Sequence, residues 1–262
     1  MCLCGLPGCT WMSYLGTSDH GRELGKTYFI GGAGSVGNVV GTVDVPLGLR
    51  QAGYKGATEV LGWQSVVGGT LRDEIDRSRN MGQARRLARR IQKYMDKYPS
   101  RPVHIIALSA GTGIATWALE SLPPKYHVQT VVFLGSSLSR GYDLSDALRR
   151  VDKRLYAFSS TRDPVLRYVL PLTGPIDRDS GTSTAAGLCG FDLPEDASAA
   201  VRELYRQRLR NRPYKPAYAR YGYHGLHTDG TSPAFVEHVV APLLMQPGEP
   251  PEPSEPDAEP DK

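Results

Sequence analysis

The sequence predicts an α/β domain: a mostly parallel sheet with helices packed on both of its faces. Three observations predict it. From Lys26 onward, short β-favouring runs alternate with helical ones, the pattern of strand–helix–strand units closed by right-handed crossovers. Val128 to Leu134 is a largely apolar run, as a strand covered on both faces requires. Between Asn80 and Tyr98, the residues Ala84, Leu87, Ala88, Ile91, Tyr94, Met95 and Tyr98 recur at spacings of three and four, which makes one apolar face of a long helix.

The elements follow in order. Lys26 to Ile30 reads as the first strand and Gly31-Gly-Ala-Gly-Ser35 as a tight loop after it. Val43 to Ala52 reads as a helix, with Pro46 in its first turn, where a missing N–H is tolerated. Thr58 to Trp63 is a second strand. The helix from Asn80 to Tyr98 carries Arg85, Arg86, Arg89, Arg90, Lys93 and Lys97 on its outer face. Such a basic face reads as a solvated surface ahead of a site for anionic lipid or phosphate. Val103 to Leu108 is the next strand, and Ala110 to Ser121 its helix, stopped by Pro123-Pro124. After the strand from Val128 to Leu134, Asp143 to Val151 reads as helix and Arg154 to Ser159 as strand. A long connection, Leu170 to Arg220, holds a helix from about Glu195 to Arg210 with Val201, Leu204, Tyr205 and Leu209 on one face. A last helix starts near Ser232-Pro233.

Ligands of such sheets sit at the carboxyl ends of the strands, so residues there carry the functional argument. The run Val103 to Leu108 ends at Ser109, with Ala107 and Gly111 keeping both flanks small. A strand that turns sharply into a helix holds a serine hydroxyl away from the sheet edge, and Ala-x-Ser-x-Gly is one methyl away from the Gly-x-Ser-x-Gly turn that does so. Helix capping is the plainer use of a serine before a helix; nucleophilic attack is the sharper one.

A hydroxyl needs a base, and the base needs orienting. The strand ending near Ser159 runs into Asp163, followed by Pro164. That position suits an acid that fixes an imidazole tautomer, and it also suits a turn before proline. Asp143 is a rival acid. Of six histidines, His224 and His227 lie in the loop before the last helix, and His227, nearer that helix, is the preferred base. Donors for a tetrahedral oxyanion are expected from the backbone N–H of Ala110, next to Ser109, and of Ala33, in the glycine loop after the first strand.

With these residues in hand, the chain from about Lys26 to Leu244 resembles an α/β-hydrolase of the esterase and lipase type. Gly31-Gly-Ala-Gly-Ser35 stands where that family has its oxyanion loop, Ala107-Leu-Ser109-Ala-Gly111 at its nucleophile turn, and Asp163 and His227 in family order. The resemblance implies Ser109 as nucleophile, Asp163 as acid, His227 as base, and Ala33 and Ala110 as oxyanion donors. It implies a small-molecule or lipid-like ester substrate, and the sequence indicates no metal or organic cofactor. Three departures stand out: Ala107 replaces a glycine, no histidine leads the oxyanion loop, and the usual preceding strands are trimmed away. Family insertions near the site form caps, and 170–220 is the candidate for one, with scaffold packing as the alternative.

A rival reading takes Gly32-Ala-Gly34-Ser-Val-Gly37 as a dinucleotide fingerprint, hence an NAD(P)-dependent oxidoreductase. That fingerprint needs an acid at the end of the second strand. The sequence there is Leu61-Gly62-Trp63-Gln64, and Glu59 lies too early. A third reading is a non-catalytic binding protein of the same fold.

Composition is ordinary for a globular chain. At 262 residues it can bury one sizeable core, and its formal charge of +4 comes mostly from the arginine-rich helix, which gives nucleic-acid binding no support. Three of the four cysteines (Cys2, Cys4 and Cys9) crowd the first nine residues. No histidine or second cysteine pair is spaced to complete a metal site with them. Leu6-Pro-Gly-Cys9 resembles the end of a bacterial lipoprotein signal, with Cys9 as the lipidated residue and membrane anchor, if translation starts upstream; as the start stands, the expectation is cytoplasmic. The chain divides into a segment 1–25, a domain 26–245, and a Pro- and Glu-rich tail 246–262 too poor in apolar residues to offset its ordering entropy. The oligomeric state is left open.

Overall fold

The computed structural model describes residues 17–33, 39–64, 76–177 and 184–245. Cys2, Cys4 and Cys9, the part of the glycine loop from Gly34 to Gly37, and the tail 246–262 lie outside those residues.

Six strands form one sheet: β1 (Lys26–Ile30), β2 (Ala57–Leu61), β3 (Val103–Leu108), β4 (Val128–Leu134), β5 (Val151–Ser159) and β6 (Leu209–Pro213). Their order is β2-β1-β3-β4-β5-β6, and every neighbouring pair is parallel. The helical elements are α1 (Asp44–Gln51), α2 (Arg77–Lys97), α3 (Gly111–Glu120), α4 (Ser145–Leu148), α5 (Val165–Val169 running into Leu170–Thr173), α6 (Ala186–Cys189), α7 (Ala199–Arg208) and α8 (Pro233–Phe235 through Val236–Val240 to Ala241–Met245).

Alternate residues of each strand face opposite layers, and two cores result. On one face Tyr28, Ile30, Ile105, Val131 and Leu155 pack against Leu87 and Ile91 of α2, Ile114 and Trp117 of α3, and Tyr205 of α7. On the other, Phe29, Ile106, Val132 and Phe158 pack against Val45 and Leu49 of α1 and Phe235, Val236 and Val240 of α8. Burying apolar side chains on both faces is what holds such a sheet together, at roughly 1.5–3 kcal/mol for each large one.

The structure differs from the expected elements in two places. The helix expected to reach Arg210 stops at Arg208, and Leu209–Pro213 is the sixth strand. Arg210, Asn211 and Arg212 give that strand no apolar alternation, because it lies at the open edge of the sheet, where charged residues are tolerated. The second half of the 170–220 connection is thus a crossover helix and an edge strand. The helix expected over Asp143 to Val151 is only Ser145–Leu148, and Val151 already opens β5.

Among the described residues, no helix is long and apolar enough to cross a membrane, and no group of three or more His, Cys, Asp or Glu could hold a metal ion.

Candidate active site

β3 runs directly into Ser109, whose φ of 54° lies in the left-handed region. For a residue with a Cβ that conformation costs roughly 1–2 kcal/mol, so its surroundings must enforce it. The Ser109 N–H donates to the Leu134 carbonyl at 2.9 Å, and the Ser109 carbonyl accepts from the Thr112 N–H at 3.0 Å. The Thr112 hydroxyl donates to the same carbonyl at 2.6 Å. Both flanks of the turn are explained by space. A Cβ on Gly111 would lie 2.5 Å from the carbonyl oxygens of Ile30 and Gly31, so only glycine lets α3 begin against the end of β1. Ala107 is fully buried in register with Ile30 and Phe133.

The chain leaves β5 at Ser159 and reaches Asp163 in the turn that starts α5. Asp163 Oδ1 accepts from the N–H groups of Val165 at 2.9 Å and Leu166 at 3.0 Å. Its other oxygen, Oδ2, meets His227 Nδ1 at 2.7 Å, and His227 Nε2 lies 2.9 Å from Ser109 Oγ. The Asp163 side chain is 3% exposed and that of His227 12%. A nearly dry carboxylate therefore backs an imidazole whose far nitrogen reaches a hydroxyl at the open end of the sheet. Burial pushes the neighbouring Tyr223 phenol up, with the charges of Asp163 and Asp229 adding to it, so that tyrosine stays neutral.

Of the two late histidines, the structure brings His227 to the serine. His224 is exposed, with its N–H donated to Asp229 Oδ2. Asp143, the rival acid, instead accepts from Ser145 and Tyr205 at the head of α4. The loop carrying His227 is shaped by Asp229, whose Oδ2 also accepts from the Leu226 N–H at 3.1 Å. It is fixed to the end of β5 as well: Gly225, at φ 90°, lies so close to Ser160 that a Cβ would meet its hydroxyl at 2.5 Å.

Ala110 follows Ser109 directly and is fully buried as the cap of α3. The first N–H groups of a helix have no partner inside it, and that of Ala110 points to no acceptor among the described residues. Ala33 packs against the α2–α3 core at the end of the described part of the glycine loop. Two side chains from beyond β2 hold this loop. The Trp63 indole N–H donates to the Gly31 carbonyl at 2.8 Å, and the Gln64 amide N–H to the Gly32 carbonyl at 2.7 Å. Gln64 Oε1 accepts from the Trp63 N–H at 3.1 Å, and the Arg79 guanidinium donates to the Trp63 carbonyl at 2.5 Å. Glu59, the acid nearest the end of β2, is spent on Lys26 and Arg90.

Sequence reasoning passed over three further residues that build the site. Gly135, at φ 52° after β4, faces the pair: a Cβ there would be 3.4 Å from both Asp163 Oδ2 and His227 Nδ1. Gly187 in α6 presses on Leu166 and on the backbone of Gly135 and Ser136. Asp229 shapes the histidine loop. The only sequence signal for these was a glycine directly after an apolar strand and an Asp-Gly pair after His227.

No family model and no curated protein matches this sequence. Among solved structures, the chain is similar to lipase B of Aspergillus fumigatus, at 13% identity over 92% of this chain and 57% of that one, with a TM-score of 0.52. It thus spans a little over half the length of that lipase. An agmatine ureohydrolase of Thermoplasma volcanium, 11% identical over 85% of this chain and 92% of that one, has a TM-score of 0.28, too low to bear on the fold. At such identity, the likeness to the lipase establishes the architecture alone: the parallel sheet and flanking helices of an α/β-hydrolase fold.

Proposed function

We propose that this chain is a serine hydrolase that cleaves an ester-type bond through an acyl-enzyme, with Ser109 as nucleophile, His227 as base and Asp163 as the orienting acid. One observation carries the reading: the unbroken path from Asp163 Oδ2 to His227 Nδ1 at 2.7 Å and from His227 Nε2 to Ser109 Oγ at 2.9 Å. It ends on a serine held in a strained conformation, as reacting groups often are.

In this reading His227 Nε2 takes the hydroxyl proton as Ser109 Oγ bonds to the carbonyl carbon. Asp163 stabilises the imidazolium without taking its proton. The N–H groups of Ala110 and Ala33 hold the oxyanion, each contributing roughly 3 kcal/mol to lowering the barrier. His227 returns the proton to the departing alcohol oxygen. Water, deprotonated by the same imidazole, then attacks the acyl carbon and frees Ser109.

Exposed apolar side chains on the segments that follow Asp163 and precede His227 favour an apolar acyl group. Tyr168, Val169 and Leu172 of α5 are exposed, as is Leu226 next to His227. Exposed large apolar side chains are suited to contact with apolar ligands.

A fluorophosphonate probe tests the reading. Labelling of Ser109, with hydrolysis of p-nitrophenyl esters abolished in Ser109→Ala while the fold is kept, is the expected result. An unlabelled serine overturns it, and NADH binding in its place would favour the oxidoreductase.

A further inference from the structure

We infer that Gln64 is a positioning residue for the oxyanion site, setting the direction of the Ala33 N–H through the peptide that joins Gly32 to Ala33. This rests on the serine-hydrolase reading above and adds a residue to it.

The argument starts from peptide geometry. A peptide unit is planar and, among the described residues, trans throughout, so its C=O and N–H point to opposite sides. Whatever holds the Gly32 carbonyl therefore aims the Ala33 N–H. Gln64 Nε2 holds that carbonyl at 2.7 Å. Gln64 follows β2, and the strand order β2-β1-β3 sets β2 and β3 on opposite sides of β1. A carbonyl drawn toward the β2 side turns the N–H toward the β3 side, where Ser109 ends the strand.

The amide of Gln64 is itself oriented. Its Oε1 accepts from the Trp63 N–H, which leaves Nε2 as the only group able to donate to Gly32. Trp63 is buried and tied at both ends, through its indole to Gly31 and through its carbonyl to Arg79. The Arg79 N–H is in turn accepted by Asp76 at the start of α2. The loop is thus braced against the long helix, so its N–H need not reorganise as charge develops, the condition under which such donors act best. In a dinucleotide-binding fold the end of the second strand would present a carboxylate to a ribose. Here that place is occupied by two donors turned inward onto the glycine loop.

Two variants of similar length test this. Gln64→Glu keeps an acceptor for the Trp63 N–H but sets a carboxylate oxygen against the Gly32 carbonyl, and Gln64→Met removes both bonds. Each is assayed on p-nitrophenyl butyrate and for inhibition by phenylboronic acid, whose serine adduct carries an oxygen in the oxyanion position. Thermal melts check the fold, and fluorophosphonate labelling checks the nucleophile. Expected is a fall in kcat of roughly 10- to 100-fold, below the full loss of a donor, with KM changed by less than about twofold. Boronate affinity should weaken in step with kcat, while Ser109 is still labelled, more slowly. Folded variants that keep the wild-type kcat, or whose whole effect lies in KM, overturn the inference and leave the hydrolase reading standing. A wild-type protein that neither labels at Ser109 nor cleaves the ester overturns that reading, and this inference with it.

Discussion

Asp163 divides its carboxylate between two tasks, one oxygen on His227 Nδ1 and the other on the first two N–H groups of the helix beyond Pro164. Capping and orienting are therefore not alternatives at this residue: the helix bonds fix the carboxylate plane that meets the imidazole. Asp163→Asn separates the two. The asparagine oxygen can still accept from Val165 and Leu166, but its NH2 then faces His227 Nδ1 and favours the tautomer with hydrogen on Nε2, which cannot take a proton from Ser109. We expect kcat to fall by about four orders of magnitude with a nearly unchanged melting temperature. Asp163→Ala should lose activity and also roughly 1–3 kcal/mol of stability, from buried N–H groups left unpaired. If the two variants melt alike, the helix bonds do not contribute as described.

How much of this was legible depended on burial. β1, β3 and β4 have the bounds read from the sequence, because central strands must be apolar over the length they pair. β6 was not legible, since Leu209–Pro213 is a polar edge strand whose arginines read as the end of a helix. Ser109, Asp163 and His227 stand out because each lies at the end of a strand or in a loop beyond one, and the structure brings their side chains together. Gly187 and Gln64 act through partners far off in the chain, at distances no local pattern encodes, and Asp229 acts on His224 and Leu226 within an irregular loop that has no periodicity to read. Gly111 reads in the sequence only as a small residue beside the serine; the reason for it, the carbonyls of Ile30 and Gly31, belongs to another strand and the loop after it.

Two glycines should respond oppositely to alanine. A Cβ on Gly187 would lie 2.6 Å from the Gly135 carbonyl carbon and from Ser136 N, and backbone cannot give way as a side-chain tip can. Overpacking of this kind costs about 1–3 kcal/mol. Because Leu166, held by Asp163, takes the rest of the clash, kcat should fall as well. Gly82 lies inside α2 with nothing within 4 Å of a Cβ, so Gly82→Ala should stabilise by about 0.5–1 kcal/mol through helix propensity alone. Urea titrations of both variants read the signs directly; a stabilised Gly187→Ala would mean that α6 packs more loosely than described.

The exposed apolar side chains of α5 predict a dependence on acyl length. Leu172 is 84% exposed and Tyr168 66%, on the helix that begins just beyond Asp163. Neither side chain supports the core, so Leu172→Ser and Tyr168→Ser should leave the melting temperature and butyrate hydrolysis unchanged. Their KM for decanoate or longer esters should rise several-fold, since each methylene taken from water contributes about 0.8 kcal/mol. An equal effect on short and long esters would place the acyl chain elsewhere.

Acid stability should carry the mark of His104. This side chain is 2% exposed in β3, in register with Thr27 on one side and Thr130 on the other, beneath the edge of the Tyr54 ring. Burial, with Lys153 adding, pushes its pKa down from 6.5 to about 3. Its Nδ1 has no hydrogen-bond partner among the described residues. The sign follows from proton counting. Below pH 6.5 the unfolded chain takes up a proton here that the folded protein refuses until about pH 3, so stability is full above 6.5 and is lost as the pH falls through that interval. Each pH unit costs at most about 1.4 kcal/mol, roughly 5 kcal/mol in all. His104→Leu fills the same space with nothing to protonate. Carboxylates destabilise both proteins in acid alike, so the comparison is of slopes: between pH 6.5 and 4 the unfolding free energy of wild type should fall more steeply than that of the variant. Parallel slopes in urea melts would show that the imidazole reaches its proton without unfolding.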